Sequence, residues 1–379
     1  MNENSNEFLL DNKLTSDLQR FLRPLYIMQF VSFGPKFLIR DGFITSNSTT
    51  VNIIRLCFAI CYFIIYIAIV SIYRIKYFSK FLLNVMIFSH LLYYGSSILL
   101  NSILITIHND INVKLILKIQ KIHRFLKFQQ NAYKNLIVGN WIFIIIIFLY
   151  YFMIILVQIY LKRPILIFIF LHACLLMNDL NLIYIIRLIV VLRKATVVWT
   201  SKLEQMYEME NKTLKCEGRH LRQTARWEKI FKTYIDLIEA FHAGNKILEI
   251  QIIYFIILTF IQTLINVQVV IEITMFDAAV SSLFSWSIKN IFLLTVLSWE
   301  YENSYIAHKN IQVVCLMIKC SGNVSSEVYL VCKQLWRESV GVCELLNSHK
   351  FFKVDAALPL RLLSAIIVYV IVLLQFAFL

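Results

Sequence analysis

Residues 141 to 160 read WIFIIIIFLYYFMIILVQIY, a stretch without a single charged side chain. A helix of about 20 apolar residues is long enough to cross the hydrocarbon core of a bilayer, and its backbone polar groups are satisfied within the helix. The whole chain has the same character. Of its 379 residues 59% are apolar and 16% are charged, whereas soluble domains carry about 25% charged residues. We therefore expect an all-α membrane protein.

Six further stretches have the length and composition of a membrane span, so the sequence predicts seven transmembrane helices. The predicted spans are 51–72, 81–107, 136–161, 164–192, 247–272, 279–299 and 357–379. A shorter apolar run from Pro24 to Ile39 is interrupted by Gly34, Pro35 and Lys36. This interruption favours an interfacial or re-entrant segment over an eighth span.

The positions of lysine and arginine orient the predicted bundle. With the N-terminus in the cytoplasm, 28 of the 37 Lys and Arg residues lie in cytoplasmic segments and only five lie in outer loops. Basic residues concentrate on the cytoplasmic side of membrane proteins. The sequence therefore predicts a cytoplasmic N-terminus and an extracellular C-terminus. The formal charge of +14 is then a cytoplasmic face toward anionic membrane lipid, and not a nucleic-acid surface.

We divide the chain according to this topology. Residues 1–50 form a cytoplasmic N-terminal region with the interfacial segment, and residues 51–299 form a six-helix transmembrane bundle with the ligand pocket. Within that bundle, residues 193–246 are predicted to form cytoplasmic helices. Residues 300–356 are anchor helices in the cytoplasm, and residues 357–379 are the seventh span.

Long cytoplasmic helix extensions are predicted by apolar side chains that recur at three- and four-residue spacing. One stripe precedes the fifth span and another precedes the seventh: Trp227, Ile230, Phe231, Tyr234, Ile238 and Phe241, then Val328, Val331, Leu335, Val342 and Leu346. Such stripes must be buried. They pack either on one another within one chain or on a second subunit.

Five predicted spans each carry polar side chains on one helical face, although polar groups at bilayer depth are costly. This pattern predicts a shared interior cavity, and small-molecule sites combine aromatic walls with a few polar groups. Asp179 and Lys289 lie at similar depths, and we expect them to form an ion pair. The alternative is that the stripes are structural hydrogen bonds between helices. The side chains assigned to a ligand pocket are Tyr94, Tyr151, Gln158, His172, Asp179, Gln262, Asn266, Trp286, Lys289 and Asn290.

Motifs for catalysis or metal binding are not found in the sequence. No two of the eight histidines are four residues apart, so we expect no metal site and no cofactor. The sequence contains no Gly-x-Ser-x-Gly, no His-Glu-x-x-His and no phosphate-binding glycine loop. An enzyme is therefore not expected.

The last predicted span ends in a motif that resembles a known signature. Residues 368–376 read VYVIVLLQF, which is similar to the Thr-Tyr, five hydrophobic residues and Gln-Phe that close insect gustatory receptors. Val368 stands where that family has threonine. The segments FKVD at 352–355 and LRPL at 22–25 are also similar to that family, as are the length and the inverted topology.

The resemblance implies a ligand-gated, non-selective channel for monovalent and divalent cations in the plasma membrane of chemosensory neurons. It implies a homotetramer, or a heterotetramer with other gustatory receptors, in which four seventh helices line one pore that a small-molecule tastant opens. By the motif, the pore and gate residues are Gln375, Phe376, Tyr369 and Val372. Sugar-sensing members commonly carry glutamate where this chain has Val370. The tastant expected is therefore bitter-type or another non-sugar compound.

Two other receptor classes fit seven spans. An insect odorant receptor channel shares the architecture but usually lacks the Gln-Phe ending. A G-protein-coupled receptor has its N-terminus outside, which is contrary to the charge distribution. Its Asp-Arg-Tyr and Asn-Pro-x-x-Tyr motifs are also missing from the third and seventh spans of this chain.

Overall fold

The computed structural model describes residues 12–31, 34–77, 95–127, 130–160, 165–213, 220–272, 278–321, 325–347 and 354–378. This part of the chain contains ten helices and one two-stranded antiparallel hairpin, β1 (Leu38–Arg40) and β2 (Phe43–Thr45). The helices are α1 (Ser16–Val31), α2 (Thr49–Tyr77), α3 (Gly95–Ile107), α4 (Asn109–Leu126), α5 (Gln130–Tyr160), α6 (Ile165–Thr213), α7 (His220–Glu272), α8 (Ala278–Cys320), α9 (Ser326–Asn347) and α10 (Leu358–Phe378). The predicted all-α class is thus confirmed.

Five of the described helices are long and apolar enough to cross a membrane. Their apolar parts are Thr49–Ala68, Lys134–Tyr160, Leu175–Met209, Ala225–Ile271 and Leu358–Gln375. They coincide with the first, third, fourth, fifth and seventh predicted spans. The second predicted span lies largely outside the described residues, and α8 runs continuously through the sixth. The structure therefore supports a membrane protein, while the count of seven spans stays a prediction.

Helix α6 lies at the centre of the bundle. It contacts α1, α2, α4, α5, α7 and α8. In its most apolar window 78% of the residues are buried, whereas only 22% are buried in the corresponding windows of α2, α5 and α10. The apolar outer faces of those three helices are therefore free to contact lipid or another subunit.

The N-terminal segment turns back on itself. The Leu14 amide donates a 2.8 Å hydrogen bond to the Gly42 carbonyl, and the Asn47 side chain donates to the Pro35 carbonyl at 2.8 Å. The buried Lys36 ammonium lies 4.3 Å from the centre of the Tyr184 ring and fixes the segment to α6. Since the start of α1 lies beside the β-hairpin turn, the segment does not span the bundle. The interfacial or re-entrant character of residues 24–39 stays a prediction, and residues 32–33 of that run lie outside the described residues.

The β-hairpin was not predicted, although its turn has a sequence signal. Asp41 and Gly42 have φ values of 52° and 81°. An Asp-Gly pair accepts positive φ and closes two-residue hairpins. The strands have only three residues each, so no alternation of side chains was long enough to indicate them.

The two predicted stripes are buried or half-buried within one chain, apart from Leu346, whose side chain lies outside the described part. Trp199 of α6 stacks on Tyr234 of α7 with ring centres 4.6 Å apart, and its indole N–H donates to the Ile230 carbonyl. Helix α9 packs on α8 and also contacts α7. Its residues Val328 and Leu335 are buried. Of the two alternatives, the structure supports packing within the chain.

His308 of α8 lies where these two stripes are packed, nine residues beyond the predicted sixth span. The side chain is fully buried. The Phe241 ring packs edge-on against it at 4.8 Å, and the Tyr234 hydroxyl lies 3.4 Å from its Nδ1 atom. Burial lowers the pKa of His308 to about 3. The imidazole is therefore neutral in the folded chain at neutral pH.

We expect acid to destabilise the fold through this histidine. Because its folded-state pKa lies below the unfolded value of about 6.5, the unfolded chain binds the extra proton between these two pH values. Stability therefore falls as the pH falls below about 6.5, and the loss reaches about 2 kcal/mol at pH 5. In His308→Gln this part of the loss disappears. Melting of purified protein at pH 7.5 and pH 5 measures it, with His242→Gln on the exposed side of α7 as the control. An unchanged pH dependence in His308→Gln contradicts the prediction.

Candidate functional site

The predicted ion pair is present at the heart of the bundle. The Lys289 ammonium of α8 lies 2.5 Å from the Oδ2 atom of Asp179 on α6, and the two side chains are only 7% and 3% exposed. The Tyr151 hydroxyl of α5 donates to the same carboxylate oxygen at 2.6 Å, and Lys289 also donates to that hydroxyl at 3.2 Å. Three helices are thus joined by one buried charged cluster, which we call the Asp179 cluster (Tyr151, Asp179 and Lys289).

Aromatic rings surround the lysine of the Asp179 cluster. Its Nζ atom lies 5.7 Å from the centre of the Tyr150 ring and 5.4 Å from that of Tyr151. A cation beside an aromatic face is attracted by the ring quadrupole, and the attraction increases when water is excluded. His172 packs edge-on against Tyr151 at 6.0 Å, and Ser285 donates to the Tyr150 hydroxyl at 3.4 Å. The Lys289 ammonium of the Asp179 cluster is therefore held between a carboxylate and two aromatic rings.

A second polar chain follows the contact between α7 and α8. The Gln262 amide donates to the Asn266 carbonyl oxygen at 3.0 Å, and the Asn266 amide donates to the Ser287 hydroxyl at 3.5 Å. All three side chains are buried. The bond from Asn266 to Ser287 joins two helices, as the alternative interpretation of the stripes expected, whereas the bond from Gln262 to Asn266 lies within α7.

Not every predicted pocket residue is satisfied in this way. The Gln158 Oε1 and Asn290 Oδ1 atoms are buried and accept no hydrogen bond within the described part of the chain. Buried acceptors without a donor are costly. These two atoms are therefore available to a ligand that donates hydrogen bonds. Trp286 is buried at 7% exposure, and Tyr94 lies outside the described residues.

A small cavity with polar and apolar walls lies between α3, α6 and α7. Its volume is about 30 Å³, and its lining includes Asn178, Asn181, Gln251 and Tyr254. Such a volume holds about one water molecule. Pockets for drug-sized ligands have about 300–1,000 Å³. In this conformation the cavity is therefore too small for a drug-sized molecule.

Hydrogen bonds across this cavity hold α3 to its neighbours. Ser97 donates to the Asn178 carbonyl oxygen, Ser96 lies 3.0 Å from the Tyr254 hydroxyl, and Gln251 donates weakly to Asn101 at 3.5 Å. None of these residues is among the predicted pocket residues. Gln251 and Tyr254 follow a charged segment, so their polarity carried no distinct signal.

A further network at Arg187 was also missed as a site. Its Nε atom donates to the Asn140 carbonyl oxygen at 2.5 Å, and its guanidinium donates to the Leu136 carbonyl at 3.0 Å. Asn140 in turn donates to the Phe21 carbonyl at 3.0 Å. The network joins α6, α5 and α1. An arginine inside a predicted span was the available signal, because such a charge needs internal partners.

The predicted pore residues of α10 differ in their surroundings. Gln375 is exposed, and Val372 is 39% exposed. Tyr369 is 53% exposed, but its ring packs edge-on against Phe260 of α7 at 5.6 Å. Tyr369 therefore borders a neighbouring helix of its own chain, unlike Gln375. The side chain of Phe376 lies outside the described part.

No protein-family model matches this chain, and a search of curated proteins found none that is similar. The likeness to insect gustatory receptors is therefore carried by the C-terminal motif and the arrangement of spans.

Proposed function

We propose that the chain is a chemoreceptor subunit of the gustatory type, a ligand-gated and non-selective cation channel of the plasma membrane. In this proposal a non-sugar tastant binds among the transmembrane helices of one subunit. Four subunits, identical or mixed, place their last helices around one pore. The single observation that carries the proposal is that one side of α10 is uncovered and carries polar residues.

Helix α10 is attached to its own chain along one side only. Leu358, Leu362 and Ile366 recur every four residues and are buried, and α10 contacts α7 and α8. The opposite side of the helix is uncovered within the described part of the chain. A transmembrane helix attached in this way has one face free for lipid or for other subunits.

The uncovered side of α10 carries two polar residues of its apolar part, Ser364 and Gln375. Ser364, Val368, Ile371 and Gln375 recur at four- and three-residue spacing and are all exposed. Polar groups on a lipid-facing stripe are unfavourable, whereas a pore lining uses them to contact hydrated ions. The Ser364 to Gln375 stripe thus favours a pore over a lipid contact. In a tetramer, Phe376 is the gate that the motif implies, and Val368 and Ile371 add apolar rings that help to close the pore by excluding water.

The same two helices that hold α10 also carry the ligand-site residues. Lys289 and Ser287 are on α8, and Gln262 is on α7, two residues after Phe260, whose ring contacts Tyr369 of α10. A ligand that separates α6 from α7 and α8 therefore shifts the surface against which α10 rests. Such a short packed route between two sites is a physical basis for gating.

Current recording tests this function directly. We expect cells that express the full chain to pass tastant-evoked cation current, and this current persists in excised outside-out patches without nucleotide. Persistence is expected because the receptor itself is the pore. A G-protein-coupled receptor loses its response under those conditions. Untransfected patches exposed to the same compounds are the control. Evoked current that needs GTP in the pipette contradicts the proposal.

A further inference from the structure

A wide apolar groove runs along the outside of the bundle between α1 and α5. It has a volume of about 520 Å³ and is lined entirely by apolar residues: Pro24, Ile27, Met28, Trp141, Ile144, Ile145, Phe148, Leu149 and Phe152. The volume is in the range of about 300–1,000 Å³ that binds a small molecule. The groove takes no part in the Asp179 cluster or in the α10 stripe.

The walls of this groove are uncovered within the described part of the chain. Phe152 and Leu149 are each 55% exposed, and Ile145 is 51% exposed. Apolar side chains without neighbours lack the dispersion attraction that packed side chains have. An apolar chain that fills the groove supplies these contacts. Since α5 is one of the helices long and apolar enough to cross a membrane, we take the medium around this groove to be lipid.

One end of the groove is basic. Arg20 and Arg23 are exposed on α1 and lie on the same face as the groove residue Ile27. Lys134 is exposed on α5, two helical turns before Trp141. Asp17 shares the α1 face one turn earlier, so the cations exceed the carboxylates.

The basic end lies at the beginning of α5. Asn140 of α5 donates a hydrogen bond to the Phe21 carbonyl of α1, so the arginines flank the start of the apolar run that contains the groove. Within the described part neither Arg20 nor Arg23 pairs with a carboxylate. Basic residues at the border of a membrane helix attract anionic headgroups. The groove thus has the two halves of a phospholipid site, an apolar trough and a cationic end.

We propose that this groove binds one anionic phospholipid, with an acyl chain along α5 and the phosphate between Arg20 and Arg23. The lipid covers the face of α1 and holds the N-terminal segment against the bundle. The proposal depends on the membrane character of the chain and not on channel activity. A loss of tastant-evoked current therefore leaves it unaffected.

Trp141 provides a local probe, because it lines the groove and is 40% exposed. The purified full chain is placed in nanodiscs that contain phosphatidylcholine and phosphatidylserine, with bromine on the acyl chains of one lipid at a time. Bromine quenches tryptophan at short range. The Trp141 signal is the part of the fluorescence that Trp141→Phe removes. We expect its half-maximal quenching at a roughly tenfold lower fraction of brominated phosphatidylserine than of brominated phosphatidylcholine, since two arginines contact the headgroup.

Two variants make the result specific. Arg20→Gln combined with Arg23→Gln abolishes the tenfold preference. Trp299→Phe is the matched control, because Trp299 is an exposed tryptophan on α8 beside Glu300, and its signal is quenched equally by both lipids. Equal quenching of Trp141 by both lipids overturns the proposal in favour of unselective lipid contact. Absence of Trp141 quenching by either lipid overturns it too, because protein then covers the groove.

Discussion

Replacing Lys289 by methionine is expected to destabilise the folded chain by about 3–5 kcal/mol, because it leaves the Asp179 carboxylate buried without its cation. Asp179→Asn has a similar effect for the opposite reason. In the double variant both charges are gone and the site is neutral, so the total loss is no larger than that of one single variant. Melting of the purified single and double variants measures this coupling.

We expect this coupling to be large because the pair is buried, and a more exposed ion pair serves as the control. Arg193 and Glu300 lie 2.8 Å apart, but their side chains are 24% and 15% exposed. Water screens such a pair, so its double-variant cycle gives a coupling nearer about 1 kcal/mol. Additive losses for Asp179 and Lys289 mean that the pair does not stabilise the folded chain as a unit. Such additivity removes the charged cluster as the core of a ligand site.

Gln375→Cys is expected to make the current sensitive to a charged thiol reagent applied from outside, with most of the current blocked. The expectation follows from the exposed position of Gln375 on the uncovered stripe of α10 and from the predicted extracellular C-terminus. A charged adduct at a pore constriction obstructs ions and changes their hydration. Recording before and after the reagent in a background with Cys57 and Cys61 replaced by serine measures the block, since both of these cysteines are exposed.

Leu373→Cys is the matched control because Leu373 is two residues away at a similar depth and only half-exposed. It lies seven residues after the buried Ile366 and therefore on the side of α10 that faces α7 and α8. We expect no block in this variant. A block in both variants means that reagent reaches α10 from lipid or an open cleft rather than a pore. A block of Gln375→Cys only from the pipette side reverses the topology.

The two functional predictions depend on different parts of the chain. The cluster variants test how the helices are held together, and the cysteine variants test which face of α10 meets ions. If the Asp179 and Lys289 variants destabilise the fold but the reagent still blocks the current of Gln375→Cys, the Asp179 cluster has a structural role and is not shown to be a ligand site. A stable pair with no block leaves the chain a membrane protein of another function.

Several elements of this protein could be read directly from the sequence. The apolar run at 141–160 required a helix because a bilayer offers no hydrogen bonds to an open backbone. For the same reason of solvation, Asp179 and Lys289 had to meet inside the bundle, since neither charge is tolerated alone in hydrocarbon. The apolar stripes around Tyr234 and Leu335 were equally clear, because their polar neighbours reveal which face is buried.

Other features were decided only by the tertiary structure. The groove along α5 and the closed cavity beside Asn178 depend on contacts between segments distant in the chain. In the part of α5 from Trp141 to Leu149 every face is hydrophobic, so no periodicity shows which side meets α1, α6 or lipid. Lateral packing makes that choice through the shapes of side chains and the few hydrogen bonds between helices. Local composition therefore determined where the helices are, and long-range packing determined which of their faces meet.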